Sequence, residues 1–211
     1  VTEVGGLGFA LQEVPVIGIM RGCPVEHAAA IGSAAFAGGI RVIEITLDSP
    51  QPEVALRNLI EACPALVVGA GTVRTPGDVE FAVGAGASFI VTPVFSPAVV
   101  AAARSLGVPI LPGASTPSEI WAALEAGAFA VKVFPARELG GPAYLKAIRE
   151  PLGHPPLVPT GGVAIGDGPA YLLAGALALG VGGSVFPLSS LVDGDAGHVG
   201  SLAAEMVRSV Q

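Results

Sequence analysis

Charge is what this sequence has least of. Asp, Glu, Lys and Arg make up 13% of its 211 residues, about half the usual globular share. Ten Lys and Arg stand against 17 Asp and Glu, a formal net charge of −7. With no basic cluster and a net charge that repels phosphate backbones, nucleic acid is excluded as a partner class. Cysteine is nearly absent too: Cys23 and Cys63 cannot make a disulfide framework and read as two small buried thiols in a reducing, cytoplasmic setting. The three His residues, His27, His154 and His198, are scattered over different segments. No His/Cys ligand spacing results, so no metal is expected. No GxGxxG follows a strand with an acidic residue beyond it, so no dinucleotide cofactor is expected either. The N-terminal VTEVGGLGFALQEVP lacks a basic segment followed by a long apolar run and does not read as a signal peptide.

Apolar material is abundant. At 52% hydrophobic residues disorder is excluded, and the length suits one domain with a large core. So few charges leave part of the apolar excess to be buried between subunits. Residues 81–103 and 172–192 are long enough without charge to raise a membrane question. Thr92-Pro93 and Ser96-Pro97 interrupt the first, and Gly180, Gly182, Gly183 and Pro187 the second. Neither has basic flanks. Both are expected to be interior, and no membrane is expected as a partner.

One unit recurs along the chain: a short apolar run, a turn with Ser, Thr or Asp, an Ala/Leu-rich helix, then Gly. The runs at 14–20, 40–46, 66–70, 88–92, 108–111, 128–134, 156–159 and 178–182 are nearly continuous in apolar character, as parallel strands covered on both faces are. Thr75-Pro-Gly-Asp78 and Thr116-Pro-Ser-Glu119 each offer a capping Thr, a Pro at the first helical position and a carboxylate three residues after the cap. Gly38, Gly84, Gly107, Gly127 and Gly175 are expected as C-terminal caps. Eight strand–helix units most simply close into a single α/β domain, a (β/α)₈ barrel spanning 1–211, with the open doubly wound sheet as the alternative. Within 1–13, residues 3–12 are expected to form an extra helix under the barrel floor, and 195–210 the last helix.

In such a barrel functional groups gather at the C-terminal strand ends, so the polar residues there matter most. Lys132, one of only two Lys, lies inside Phe129-Ala-Val-Lys-Val-Phe-Pro135. Strand alternation turns it inward with Ala130 and Phe134 and sends Val131 and Val133 to the helices. Burying an ammonium is costly and favours the neutral amine. A neutral Lys amine can form a Schiff base with a ketone or aldehyde. The residues alone leave a second reading open: a structural Lys paired with a carboxylate, or one reaching the rim. Glu44 in Ile43-Glu-Ile-Thr46 is placed inward by the same alternation, with Val42 and Thr46. There it can shuttle protons or simply pair with Lys132. Arg21 ends the first strand, where a guanidinium can hold a carboxylate or phosphate or make a rim salt bridge. Thr160-Gly161-Gly162 and Gly182-Gly183-Ser184 follow the seventh and eighth predicted strands, the usual phosphate position in barrels. Thr72 and Pro93 line the same mouth.

Together these residues resemble the class I 2-keto-3-deoxy-6-phosphogluconate (KDPG) aldolases, the family that includes 4-hydroxy-2-oxoglutarate aldolase. The resemblance runs from Pro15 to about Phe186 and is carried by VIEIT (42–46), GAGTV (69–73), IVTP (90–93), PGASTPSE (112–119), VKVFPA (131–136), PTGGV (159–163) and GVGGS (180–184). It implies a (β/α)₈ homotrimer that reversibly cleaves a 2-keto-3-deoxy-6-phospho sugar acid to pyruvate and glyceraldehyde 3-phosphate. It also implies Lys132 as the Schiff-base Lys and Glu44 as the proton-transferring Glu. Thr72, Pro93 and Thr160 would surround the pyruvyl group, and Gly161, Gly162, Gly183 and Ser184 the phosphate; Phe134 and Gly182 are expected among the substrate-binding residues.

The chain departs from the family in one place. Many relatives carry Arg shortly after the strand-2 Glu, in TLR, to hold the substrate carboxylate. Here the residues are Thr46-Leu47-Asp48, and Arg21 is expected to take over the anion. Asp48-Ser49-Pro50 resembles the galactonate-preferring branch and Thr160 the gluconate branch. The alternatives are an aldolase for unphosphorylated 4-hydroxy-2-oxoglutarate, a non-covalent sugar-phosphate isomerase or epimerase using Glu44 as base, and a sensor that binds without turnover. Only an amine-based enzyme would be inactivated by pyruvate with borohydride.

Overall fold

The apolar runs become parallel strands because neither face can be left in water and the intervening Ala-rich helices cover the outer one. The computed structural model describes residues 4–211; the first residues of the expected N-terminal extension, 1–3, lie outside the described residues. The strands are β1 (Val16–Met20), β2 (Val42–Thr46), β3 (Val67–Gly71), β4 (Ile90–Val91), β5 (Ile110–Leu111), β6 (Gly113–Ala114), β7 (Val131–Val133), β8 (Leu157–Pro159) and β9 (Leu179–Val181). The helices are α1 (Val4–Glu13), α2 (Val25–Ala37), α3 (Pro52–Ala62), α4 (Pro76–Gly84), α5 (Pro97–Ser105), α6 (Pro117–Glu125), α7 (Gly141–Arg149), α8 (Gly168–Leu173), α9 (Leu188–Asp193) and α10 (Ala196–Val210). None is long and apolar enough to cross a membrane.

All strand pairs are parallel. One sheet runs β5-β4-β3-β2-β1-β9 and the other β6-β7-β8. They curl toward each other at both ends. Thr160, just past β8, bridges Gly180 of β9, and the Leu177 N–H donates to the Leu157 carbonyl at 2.8 Å. At the other end β5 occupies the second half of the predicted 108–111 run, and β6, which the prediction did not include, follows it across Pro112, a residue with no N–H for the ladder. The Pro112 carbonyl still accepts from the Lys132 N–H at 2.9 Å.

The side chains sort into two layers by strand alternation. Ile17, Val42, Phe89, Val91, Leu111, Ala130 and Val158 form an inner cluster, closed below by Leu7, Ala10 and Leu11 of α1. Ile43, Ile45, Val131 and Val133 face the helices in the outer cluster. The inward and outward assignments made from sequence therefore hold at β2 and β7, and α1 sits where the floor helix was expected.

Both capping boxes form, Thr75 with Asp78 and Thr116 with Glu119. The glycine caps need partial correction. Gly38 caps α2, in a right-handed conformation, and Gly107, Gly127 and Gly175 take left-handed turns one residue past their helix caps, whereas Gly84 is still helical with Ala85 as the cap; Gly39 and Gly86 take the left-handed turns there. A left-handed residue belongs one step past the last helical turn, and in each of those glycine pairs the second partner occupies that step.

Candidate active site

Lys132 lies mid-strand in β7, in register with Gly113 of β6 and Val158 of β8. Its side chain points into the curl, as that of Ala130 does, and only 6% of the residue is exposed. The ring of Phe134 lies beneath the amine, 5.3 Å from Nζ to centroid, a cation–π distance when the amine is protonated. Glu44 lies two strands past β9, in register with Ile19 and Gly69, and is 1% exposed. Its carboxyl fits because residue 71 is glycine: a Cβ there would fall 2.4 Å from Glu44 Oε1. That oxygen is buried without a hydrogen-bond partner.

Glu44 and Lys132 face one small chamber, lined also by Ile17, Ile19, Val91, Leu111, Val158, Thr160 and Gly180. Its free volume of about 10 Å³ suits a single water molecule. The two groups are not a structural ion pair: among the described residues, Lys132 belongs to none of the salt bridges. Burial raises the Glu44 pKa above the ordinary carboxyl value, the nearby charges of Lys132 and Arg21 pull it back, and Asp48 adds to the rise. A carboxyl so placed keeps its proton to higher pH than a free one, which suits it to pass a proton to and from a bound substrate.

Above the chamber opens a pocket of about 500 Å³, within the usual range for a small-molecule site. Arg21, Pro93, Lys132, Phe134, Thr160, Gly161, Gly162, Gly182, Gly183 and Ser184 line it. Ten of the twelve residues singled out from sequence thus converge on one mouth, and Glu44 stands below it. Thr72 is the exception. It lines neither cavity, adopts φ 57°, and accepts a hydrogen bond from Arg21 Nη2 at 2.9 Å through its hydroxyl.

Arg21 is already engaged, since Nη1 pairs with Asp48. The loops after β1 and β2 are tied together to support it: the Gly22 N–H donates to Ser49 Oγ at 2.9 Å, and Ser49 Oγ lies 3.0 Å from Thr46 Oγ1. On the far side of the mouth, Gly161 and Gly162 have φ 93° and 70°, a left-handed run open to glycine at little cost. Gly161 is also a close approach, with a built Cβ 3.1 Å from the Phe134 ring. The N–H groups of Gly162, Val163, Gly183 and Ser184 find no acceptor among the described residues, and Ser184 Oγ is buried without a partner. Such a cradle of free donors fits an anion.

Sequence reasoning missed two residues. Gly71 makes room for Glu44, and only the β2–β3 register reveals that. Arg137 lines the same pocket, one residue past the quoted VKVFPA run; its rarity as a cation was the available signal.

Parallel strands that bury an amine and a carboxyl facing one chamber, below a cradle of free donors, suit an enzyme of the carbonyl-condensing, lysine-dependent class. The chain belongs to the KDPG and KHG aldolase family, whose model matches residues 9–202. It is 38% identical over 202 residues to the 2-dehydro-3-deoxy-phosphogluconate aldolase of Treponema pallidum, covering 95% of this chain and 96% of that protein. It is 37% identical to a probable 2-dehydro-3-deoxy-6-phosphogalactonate aldolase of Rhizobium meliloti, covering 83% of each. Among solved structures, KDPG aldolase from Legionella pneumophila, with pyruvate captured as a covalent carbinolamine, superposes with a TM-score of 0.87 at 32% identity, covering 96% of this chain and 97% of that one.

Proposed function

We propose that this chain is a class I aldolase that reversibly cleaves a 2-keto-3-deoxy-6-phospho sugar acid to pyruvate and glyceraldehyde 3-phosphate through a Schiff base on Lys132. The observation that carries the reading is the pair of buried, mutually unpaired groups, Lys132 and Glu44, facing one water-sized chamber beneath an anion-binding pocket. A structural Lys–Glu pair would have closed to ion-pair distance; this one has not. The two sheets read as one closed (β/α)₈ barrel and the chain as one domain, because bridges join β8 to β9 and a single Pro separates β5 from β6.

The neutral amine of Lys132 attacks C2 of the keto acid, and loss of water leaves an iminium ion. That cation withdraws electrons from C3. Glu44, acting through one water, accepts the proton of the C4 hydroxyl. The C3–C4 bond breaks, its electron pair going to C3 as an enamine, and the aldehyde departs. Glu44 returns the proton to C3, and hydrolysis releases pyruvate and the free amine. Acid–base assistance of this kind is worth about 10²–10⁴-fold. Pro93 and Thr160 bound the pyruvyl group, Phe134 packs beside the amine, and Arg21, steadied by Thr72, holds the carboxylate end. Gly161, Gly162, Gly182, Gly183 and Ser184 take the phosphate, whose binding orients the reacting carbons from a distance. No cofactor is required by these steps, and three copies of the chain form the working assembly.

Incubation with pyruvate and borohydride tests the reading. Wild-type protein is expected to gain one covalent adduct, located at Lys132, and Lys132→Ala protein none while melting cooperatively. Labelling of the Lys132→Ala protein at wild-type stoichiometry would overturn the assignment.

A further inference from the structure

Arg137, an exposed residue, is the arginine that lines the glycine-loop side of the pocket. Its backbone and stem are fixed to that loop: its N–H donates to the Gly161 carbonyl at 3.2 Å, and a Cβ added to Gly162 would lie 2.6 Å from Arg137 Cβ and 2.7 Å from Cδ. The side chain borders the same cavity as Gly161, Gly162, Gly183 and Ser184. No carboxylate among the described residues claims it. Neither its neighbour Glu138 nor Asp167 forms a salt bridge with it; the Asp167 carboxylate instead accepts from the Ala164 N–H at 3.0 Å. Arg21, across the mouth, is matched by Asp48. Besides the reacting amine of Lys132, the pocket therefore has one paired guanidinium at the β1–β3 side and one guanidinium without a carboxylate partner among the described residues at the β7–β8 side.

We propose that Arg137 is a specificity-determining residue that supplies the fixed countercharge for the substrate's phosphate, making the enzyme selective for phosphorylated over unphosphorylated hydroxy-keto acids. The inference rests on the aldolase reading above. The chain's net charge of −7 opposes a phosphate dianion, and loop N–H groups carry only partial charges. A guanidinium adds full charge and two parallel donors matched to phosphate oxygens. An unphosphorylated acid of the same reactive core leaves that end of the pocket empty and gains nothing from it.

The experiment compares kcat and KM for a phosphorylated 2-keto-3-deoxy acid and for 4-hydroxy-2-oxoglutarate, in wild type, Arg137→Gln and Arg137→Lys. The ratio of the two kcat/KM values is expected to fall about tenfold in Arg137→Gln, the scale of one lost charge-assisted hydrogen bond at a solvent-accessible site. The loss should lie in KM of the phosphorylated substrate rather than in kcat, and Arg137→Lys should recover part of it. An unchanged ratio in an Arg137→Gln protein of wild-type melting temperature overturns the proposal. Failure of the aldolase reading looks different: wild-type protein would then take up no pyruvate adduct under borohydride.

Discussion

A carboxyl buried as deeply as Glu44 destabilises the fold whenever it is charged. Burial is the main cause of its raised pKa, and the attraction of Lys132 and Arg21 only partly offsets it. The sign follows from linkage. A group whose folded pKa is raised contributes its full stability below the unfolded value, 4.5 for this side chain, and loses it as pH climbs through the folded value. Glu44→Gln removes that loss. The variant is therefore expected to melt above wild type at neutral pH, with the gap closing as pH falls toward about 4.5. Thermal melts of both proteins across that range check it, and a gap independent of pH would show that the wild-type carboxyl never pays for its burial. The same variant keeps Lys132 and should still trap pyruvate while turning over slowly, because the amide can hydrogen-bond but cannot exchange a proton at that position.

The elements around the site are held by local chemistry that is read off the chain with little ambiguity. The Glu119 carboxylate accepts the Ser115 N–H at 2.9 Å and the Thr116 N–H at 2.8 Å, and these bonds hold its pKa below the ordinary value. A lowered carboxylate pKa gives stability that is present above the unfolded value, 4.5, and is lost as pH falls through the folded one. Glu119→Gln should lower Tm at neutral pH by about 1 °C, the equivalent of a few tenths of a kcal/mol for an exposed charge whose place an amide oxygen can partly fill, and the difference should shrink below about pH 4. Caps and apolar runs were legible because each is written in consecutive residues. Glu44 and Lys132 were legible for a related reason: a charge inside an apolar strand has only one face to choose, and alternation chooses it. What escaped was written across the chain. Gly113-Ala114 pairs with β7 as a strand of its own although no apolar run announces it. In Gly38-Gly39 nothing in the sequence says which member turns left-handed. The Thr72 hydroxyl serves Arg21, 51 residues away, instead of the pocket, and Arg137 belongs to the site through Gly162, on the next strand's loop.

At the scale of the whole molecule the shortage of charge returns as a question of surface. Phe9, Val94, Trp121, Leu173 and Leu188 are 71%, 60%, 52%, 89% and 62% exposed, on a chain with only 13% charged residues. Side chains of this size scattered singly need no explanation, but a chain so poor in charge has little else with which to keep copies of itself apart. A threefold ring is a closed arrangement for heterologous contacts, in which one apolar face of each copy covers a different face of the next. The protein is therefore expected to sediment as a particle of three times the 20.8 kDa chain mass. An assembly held by apolar burial should keep that mass in about 1 M salt, where the screening length falls to about 3 Å and contacts between surface charges are lost. Sedimentation as a single chain at micromolar concentration would remove the trimer. Dissociation by salt alone would keep the trimer but assign its contacts to the few charges that remain.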